Sequence, residues 1–541
     1  MPSPGETPVT AGPLASGPVQ GEPSRAGDML HEARGRERVG AVSEAIQYYE
    51  SAIALAERTG EGPVLAEALR RLAIVLHHRT ESERARALCH RSYDVARQLG
   101  DDLLAAQALN TLGGLDLTAG SLQDARGRFL QALELGGSSR QLRARVQQNL
   151  GILANIQGEL SEALVCYERS LAAYRDCGDE QGCAIAYHNL GMVSADRGRF
   201  EAAECYFRES RALAERVSDA HLRGLCLVNQ AELDVARQRF EDARQNAEAA
   251  LTLFDQLDAP ASKADAYRVI GMMYRETGRP ALAEARLRSA IEVAVAAGSL
   301  LGEAEASREL ALLYQAMGRN ADAFRLLSAA YRLFRRLDAR VDLVYVGGKV
   351  AELQGTYLAM VREWGRSLET SDSHTFGHCE RVARTAVAVA RALGLDDQEE
   401  TAILLGAYLH DVGKLRVPHE ILHKPGPLTQ DELDVVRLHP IWGLELLTNV
   451  DFPWDLKPII RWHHERYDGS GYPDRLHGDD IPVSAQIVGL LDVYDALTTA
   501  RPYHAALSRG EAVARILECR GWWSERVVQA FLDSVARPAE D

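Results

Sequence analysis

The chain has 541 residues, too many for one compact domain at roughly 100 to 200 residues each, so more than one folding unit is expected. With 46% hydrophobic and 26% charged residues it has the composition of an ordinary globular protein, and no apolar run reaches the length of a bilayer span. The net charge of -16 gives no support to a coat for DNA or an anionic membrane, and eight cysteines without a C-x-x-C pair fit a reducing cytoplasm.

Six of the 19 prolines fall within residues 2 to 23 among Gly, Ser and Thr, so residues 1–28 read as a disordered tail without an export signal. From 24 to 417 only Pro63, Pro260 and Pro280 occur, which predicts a long helical stretch. Within it a small residue recurs at Ala33, Ala73, Gly113, Gly151, Gly191, Ala231, Gly271 and Ala311, with steps of 40 or 38. A second series, Ala45, Ala85, Ala125, Ala163, Ala203, Ala243, Ala283 and Ala323, keeps the same step, and turn glycines such as Gly120, Gly158 and Gly198 precede it by five. Each unit is therefore helix, turn, helix, with the small residues where paired helices approach closely. The pattern, including N-L-G-M-V-S-A-D-R-G-R-F-E-A-A-E-C-Y-F from Asn189 to Phe207, resembles the tetratricopeptide repeat in a version of about 40 residues. Eight units span 29–340, and the resemblance implies a solenoid whose concave face binds an unknown protein or peptide. A rigid spacer or dimerisation arm is the alternative. Residues 341–372 read as a connecting or dimer-forming helix, with Leu343, Val346, Val350, Leu353, Tyr357, Met360, Trp364 and Leu368 at steps of three or four.

The last third, 373–541, differs in kind. Ten of the 16 histidines lie between His374 and His504, grouped with aspartates: H-T-F-G-H ending at His378, H-D-V-G-K from His410, H-P at His439, H-H-E-R-Y-D-G-S-G-Y-P from His463 and D-V-Y-D-A-L from Asp492. One histidine on a helix is weak evidence, but imidazole and carboxylate groups recurring in this way form a metal-ligand set. Lys414 lies one turn beyond Asp411, where an ammonium group meets a substrate phosphate.

These motifs resemble the HD-GYP family, cyclic di-GMP phosphodiesterases within the HD superfamily of metal-dependent phosphohydrolases. The resemblance implies an all-α protein, a tetratricopeptide solenoid followed by a helical HD-GYP domain, cytoplasmic and acting on cyclic di-GMP to give pGpG and then GMP. It carries metal ligation onto His378, His410, Asp411, His439, His463, His464 and Asp492, with Asp411 bridging two divalent transition metals, Fe or Mn. Asp411 and Lys414 are the catalytic candidates, and Lys414, Arg501, His504 and Tyr472 the substrate contacts. Three departures stand out: His374 occupies the place of a Glu that holds a third metal in some members, His504 that of a cation, and Gln486 that of an Arg. A nucleotide-sensing scaffold without turnover and a phosphodiesterase for another cyclic dinucleotide are the alternatives; docking of a diguanylate cyclase domain and a homodimer are open.

Overall fold

The computed structural model describes residues 25–536 apart from 39–40, 80, 372–376, 425, 449 and 501–504. Among the described residues every regular element is a helix. They form two compact units, one comprising Met1–Arg319 and Leu326–Gly348, the other Asn320–Arg325 and Lys349–Asp541.

The first unit is a run of helices: α1 Arg25–Arg38, α2 Val42–Thr59, α3 Gly62–His78, α4 Ser82–Leu99, α5 Asp102–Thr118, α6 Leu122–Gly136, α7 Arg140–Ile156, α8 Leu160–Cys177, α9 Glu180–Asp196, α10 Phe200–Arg216, α11 Ala220–Ala236, α12 Phe240–Gln256, α13 Pro260–Glu276, α14 Pro280–Ala296, α15 Leu300–Ala316 and, from Leu326 onward, α16 Asn320–Arg336. They pair as α1 with α2, α3 with α4 and so on to α13 with α14. The small positions sit at the pair contact. A Cβ on Gly113, Gly151 or Gly191 would lie 2.6, 2.5 or 2.4 Å from the ring of Phe129, Tyr167 or Phe207, each sixteen residues further on. Where the sixteenth residue is small, as at Cys89 and Ala247, alanine takes the glycine's place at Ala73 and Ala231. Both members of each contact are buried or nearly so, which is why the spacing is so constant.

Most of these helices are closed through a left-handed residue, α6 being an exception with Gly137 at φ -62°. Gly60, Gly100, Gly120, Gly158, Gly178, Gly198, Gly278, Gly298 and Gly318 have φ between 66 and 80°, while Ser218, Gln238, Asp258 and Asp338 take the same region at 44 to 59°. Gly40 lies outside the described residues.

Odd-numbered helices touch the next odd-numbered helix, as α3 does α5 and α13 does α15, whereas the even-numbered ones have no comparable contact among themselves. The odd-numbered set is therefore the inner, concave side. The curvature is tight enough for Arg336 Nη2 to donate to the carbonyl of Ala119 at 3.1 Å and for Arg340 to pair with Glu159 at 3.1 Å.

Helix α17, Arg340–Ser371, covers the expected connecting segment as one element. In the second unit its Tyr357 hydroxyl donates to the carbonyl of Asp451 at 3.2 Å and its ring lies edge-on to Trp454. There follow α18 His378–Ala392, α19 Asp397–Leu409, a 3-10 turn Val412–Arg416, α20 His419–Leu422, α21 Gln430–Val436, α22 His439–Leu446, α23 Lys457–Trp462, α24 Val483–Thr498, α25 Arg509–Glu518 and α26 Glu525–Ala536. Capping boxes start three of them, Asp396 with Glu399, Thr429 with Glu432 and Ser508 with Glu511. Helix α24 is the centre of this unit: Ala485 to Leu491 are all buried, and α18, α23, α25 and α26 pack around it.

Candidate metal centre

The second unit brings its histidines together by letting backbone approach backbone. A Cβ on Gly413 would lie 1.8 Å from the carbonyl oxygen of His439, and one on Gly489 would lie 2.1 Å from that of His463. Only glycine fits at either place. The first contact falls within a 3-10 turn, Val412–Arg416, that follows Asp411 and carries Lys414.

Seven side chains converge in two groups. Asp411, His439, His463 and His464 can each offer one donor atom within 4.8 Å of the others, and so can His378, His410 and Asp492. Asp411 faces both ways: Oδ1 is 3.3 Å from His439 Nε2, and Oδ2 is 3.5 Å from His410 Nε2. His378, His410, His439 and His463 are at most 4% exposed, and Asp411 is 8% exposed.

Ring orientation is set by the far nitrogen of each imidazole. Nδ1 of His410, His439 and His463 lies 2.8, 2.8 and 3.0 Å from the carbonyls of Ala407, Val436 and Ile459. A carbonyl only accepts, so each Nδ1 carries the proton and each Nε2 presents a lone pair inward. His439 Nε2 and His463 Nε2 then face each other at 3.3 Å with no proton between them, while His410 Nε2 and Asp411 Oδ1 are buried without a hydrogen-bond partner. Electron pairs aimed at one another in a buried site are costly unless a cation lies among them, so this donor set fits a metal.

The electrostatics agree. Burial, then neighbouring imidazoles, holds His463 and His464 well below the usual histidine range, and burial takes His439 down to about 4. These rings are neutral, as ligands must be. Burial alone would raise Asp411, but Lys414 and the surrounding imidazoles overrule it and hold the carboxyl well below its ordinary value. Lys414 Nζ reaches Asp411 Oδ2 at 2.5 Å.

His378 is oriented differently, by a residue that sequence reasoning missed. Its Nδ1 lies 2.7 Å from Asp495 Oδ2, and Asp495 also accepts from Arg381 Nε at 2.6 Å and Nη2 at 2.9 Å. Burial would lower His378, yet Asp495 and then Asp492 raise it. Asp495 stands one turn after Asp492 in D-V-Y-D-A-L, and that spacing was the available signal. Glu465 was missed too: 2% exposed, it accepts the backbone N–H groups of Asp474, Arg475 and Leu476 at 2.7 to 3.0 Å and so shapes the loop after Tyr472.

Tyr472 stacks on His464 with centroids 4.8 Å apart, and the Arg437 guanidinium lies 5.6 Å from the Tyr472 centroid. Gln486 is structural: it donates to the carbonyl of Ile481 at 2.8 Å and accepts from Ser524 N at 2.9 Å, tying α24 to the start of α26. His374, Arg501 and His504 lie outside the described residues.

Comparison with known proteins points the same way. Residues 365–526 match the HD domain family, and residues 64–138, 140–216, 182–256 and 223–296 match the tetratricopeptide repeat. The chain thus carries an HD domain behind tetratricopeptide repeats. It is 44% identical over 170 residues to the cyclic di-GMP phosphodiesterase response regulator RpfG of Xanthomonas campestris pv. campestris, covering 31% of this chain and 45% of that one. Over 221 residues it is 35% identical to a cyclic di-GMP phosphodiesterase of Pseudomonas aeruginosa, covering 39% of this chain and 52% of the relative. Against the 3'3'-cGAMP-specific phosphodiesterase 2 of Vibrio cholerae it is 38% identical over 156 residues, 28% of this chain and 30% of the other. The chain spans about half the length or less of these curated relatives. No helix among the described residues is long and apolar enough to cross a membrane.

Proposed function

We propose that the chain is a metal-dependent phosphodiesterase of the HD-GYP type that hydrolyses cyclic di-GMP to pGpG and onward to GMP. The observation that carries this reading is the convergence of seven His and Asp donors into two adjoining groups, with Asp411 facing both. Two divalent ions, Fe or Mn by the nitrogen and carboxylate character of the donors, would be held by His378, His410 and Asp492 on one side and His439, His463 and His464 on the other, with Asp411 shared. Bound there, they supply Lewis acidity and lower the pKa of water toward neutrality.

The chain's own residues do the rest. The backbone carbonyls behind His410, His439 and His463, and Asp495 behind His378, keep the Nε2 lone pairs of these four rings turned inward. Lys414 places an ammonium group beside Asp411, where it offsets charge building on the phosphoryl oxygens. Arg501 and His504 are further phosphate contacts in this reading, and Tyr472, next to His464, borders the nucleotide. The repeats bind a protein or peptide that controls turnover, and the protein works in the cytoplasm. A second substrate, 3'3'-cGAMP, is favoured by the relative specific for it.

Incubating Mn- or Fe(II)-loaded protein with cyclic di-GMP, 3'3'-cGAMP and cyclic di-AMP, and resolving products by chromatography, tests the reading. Conversion of cyclic di-GMP to pGpG is expected. Hydrolysis of none of the three overturns the enzymatic assignment; selective hydrolysis of 3'3'-cGAMP overturns the substrate.

A further inference from the structure

The inner face of the solenoid is not uniform. At its N-terminal end, on α1 and α3, the guanidinium groups of Arg34, Arg70 and Arg71 crowd one carboxylate: Arg34 pairs with Glu67, while Arg70 Nη2 and Arg71 Nε stand 3.8 and 3.9 Å from the same oxygen. Arg145 of α7 adds a further positive charge within electrostatic reach. Arg70 is 5% exposed, and its Nε, like that of Arg71, is buried with no hydrogen-bond partner. Burial first, and the neighbouring guanidinium groups after it, pull Arg70 down to about 9. A buried guanidinium so poorly matched is costly, and an arriving anion would relieve it.

The other end has the opposite sign. Arg268 of α13 pairs with Glu232 of α11 at 2.9 Å and with Glu305 of α15 at 3.4 Å, and Arg308 of α15 pairs with Asp342 of α17, while Asp196 of α9 and Asp265 of α13 lie within electrostatic reach of the same group. The helices that join these residues belong to the odd-numbered, inner set. Five carboxyl groups against two guanidinium groups leave acid in excess there, and burial together with the acidic neighbours pushes Asp196 and Asp265 up to about 6 and about 7. Side-chain amides also recur along the inner helices α5 to α11: Asn149 donates to Asn110, Asn229 contacts His188, and Asn189, 6% exposed, has its Nδ2 buried without a partner. Side-chain amides of this kind pair with peptide groups.

We propose that the inner face of the repeats is a bipolar channel for an extended peptide, with an anionic group of the peptide seated on Arg70 and a cationic side chain seated beside Asp265, Glu232 and Glu305. The proposal rests on the reading of the repeats as a peptide-binding solenoid. Its test measures binding and stability rather than hydrolysis, so its failure is distinguishable from failure of the phosphodiesterase reading.

The probes are fluorescein-labelled Lys-Lys-Ser-Gly-Ser-Gly-Glu-Glu, the reversed sequence, and inorganic phosphate, each with the full chain. Fluorescence anisotropy should show one peptide direction binding, at least tenfold more weakly to Arg70→Met and to the Asp265→Asn/Glu305→Gln variant. Without any probe, Arg70→Met should melt at or above the wild-type temperature, because the variant removes a charge that the free protein does not satisfy. A lowered melting temperature or an unfolded Arg70→Met protein would show that Arg70 is structural and overturn the proposal. Arg71→Gln, at a less buried position, should fold and weaken the same peptide. Failure of both peptides to bind at millimolar concentration also overturns it, as does Arg70-dependent binding of phosphate with no peptide binding.

Discussion

Asp495→Asn separates the two donor groups. The Asp495 carboxylate is buried, accepts His378 Nδ1 at 2.7 Å, and receives two hydrogen bonds from Arg381. It thereby keeps the proton on Nδ1, turns the Nε2 lone pair toward Asp492 at 3.4 Å, and lends the ring basicity. Burial would raise Asp495, but the contacts with His378 and Arg381 hold it at about 2, so it is fully ionised at neutral pH. Asn keeps one acceptor oxygen, loses the charge, and must turn an NH2 group toward either His378 or Arg381. Partners behind a metal ligand are worth about 10- to 100-fold in affinity, so the His378, His410 and Asp492 group should bind metal more weakly by ~1.4 to 2.7 kcal/mol. His439 and His463 lean on the carbonyls of Val436 and Ile459 instead, so their group should be unchanged. Titrating metal-free protein with Mn(II) against a competing chelator should show one of two binding phases shifted. Both phases shifting together, or neither, would refute the claim that Asp495 serves one group alone.

Three other outcomes follow from the repeats. Gln238, left-handed at φ 59° where equivalent turns carry Gly198, Gly278 and Gly318, should be improved by Gln238→Gly, with a gain of ~0.5 to 1 kcal/mol in urea unfolding. Gly191→Ala should cost ~1 to 3 kcal/mol despite alanine's better helix propensity, because its Cβ would meet the Phe207 ring at 2.4 Å, and the cost should shrink in a Phe207→Ala background. Burial lowers His188 from 6.5 to about 4, so the unfolded chain binds the extra proton first. Stability should therefore fall as pH drops from 6.5 toward 4, by at most ~3 kcal/mol from this residue, and His188→Gln should flatten that slope in pH-dependent melting.

The repeats were legible because their spacing is local: each small residue faces a side chain sixteen positions on, and that requirement recurs in one short stretch at a time. The seven donors were legible because histidine and aspartate are rare enough in combination to stand out. Asp495 and Glu465 were not, since a carboxylate that orients a ring or gathers three N–H groups looks in sequence like any exposed acid. The approach of Gly413 to the His439 carbonyl, within the 3-10 turn at Val412–Arg416, was equally hidden, because the two residues are brought together only by the fold. The charge pattern of the inner face was hidden for the same reason, because Arg268 meets Glu232 and Glu305 only after the helices have stacked. Arg501 and His504, read as phosphate contacts, fall at residues the structure does not describe.

The most direct test of two metals sharing Asp411 is elemental analysis of protein loaded anaerobically with Fe(II) or Mn(II) and freed of excess ion, wild type beside Asp411→Ala. Two ions per chain are expected in the wild type, and loss of both from tight binding in the variant, because Asp411 turns one oxygen toward each group. One ion or none in the wild type, or a variant that still holds two, would contradict the account.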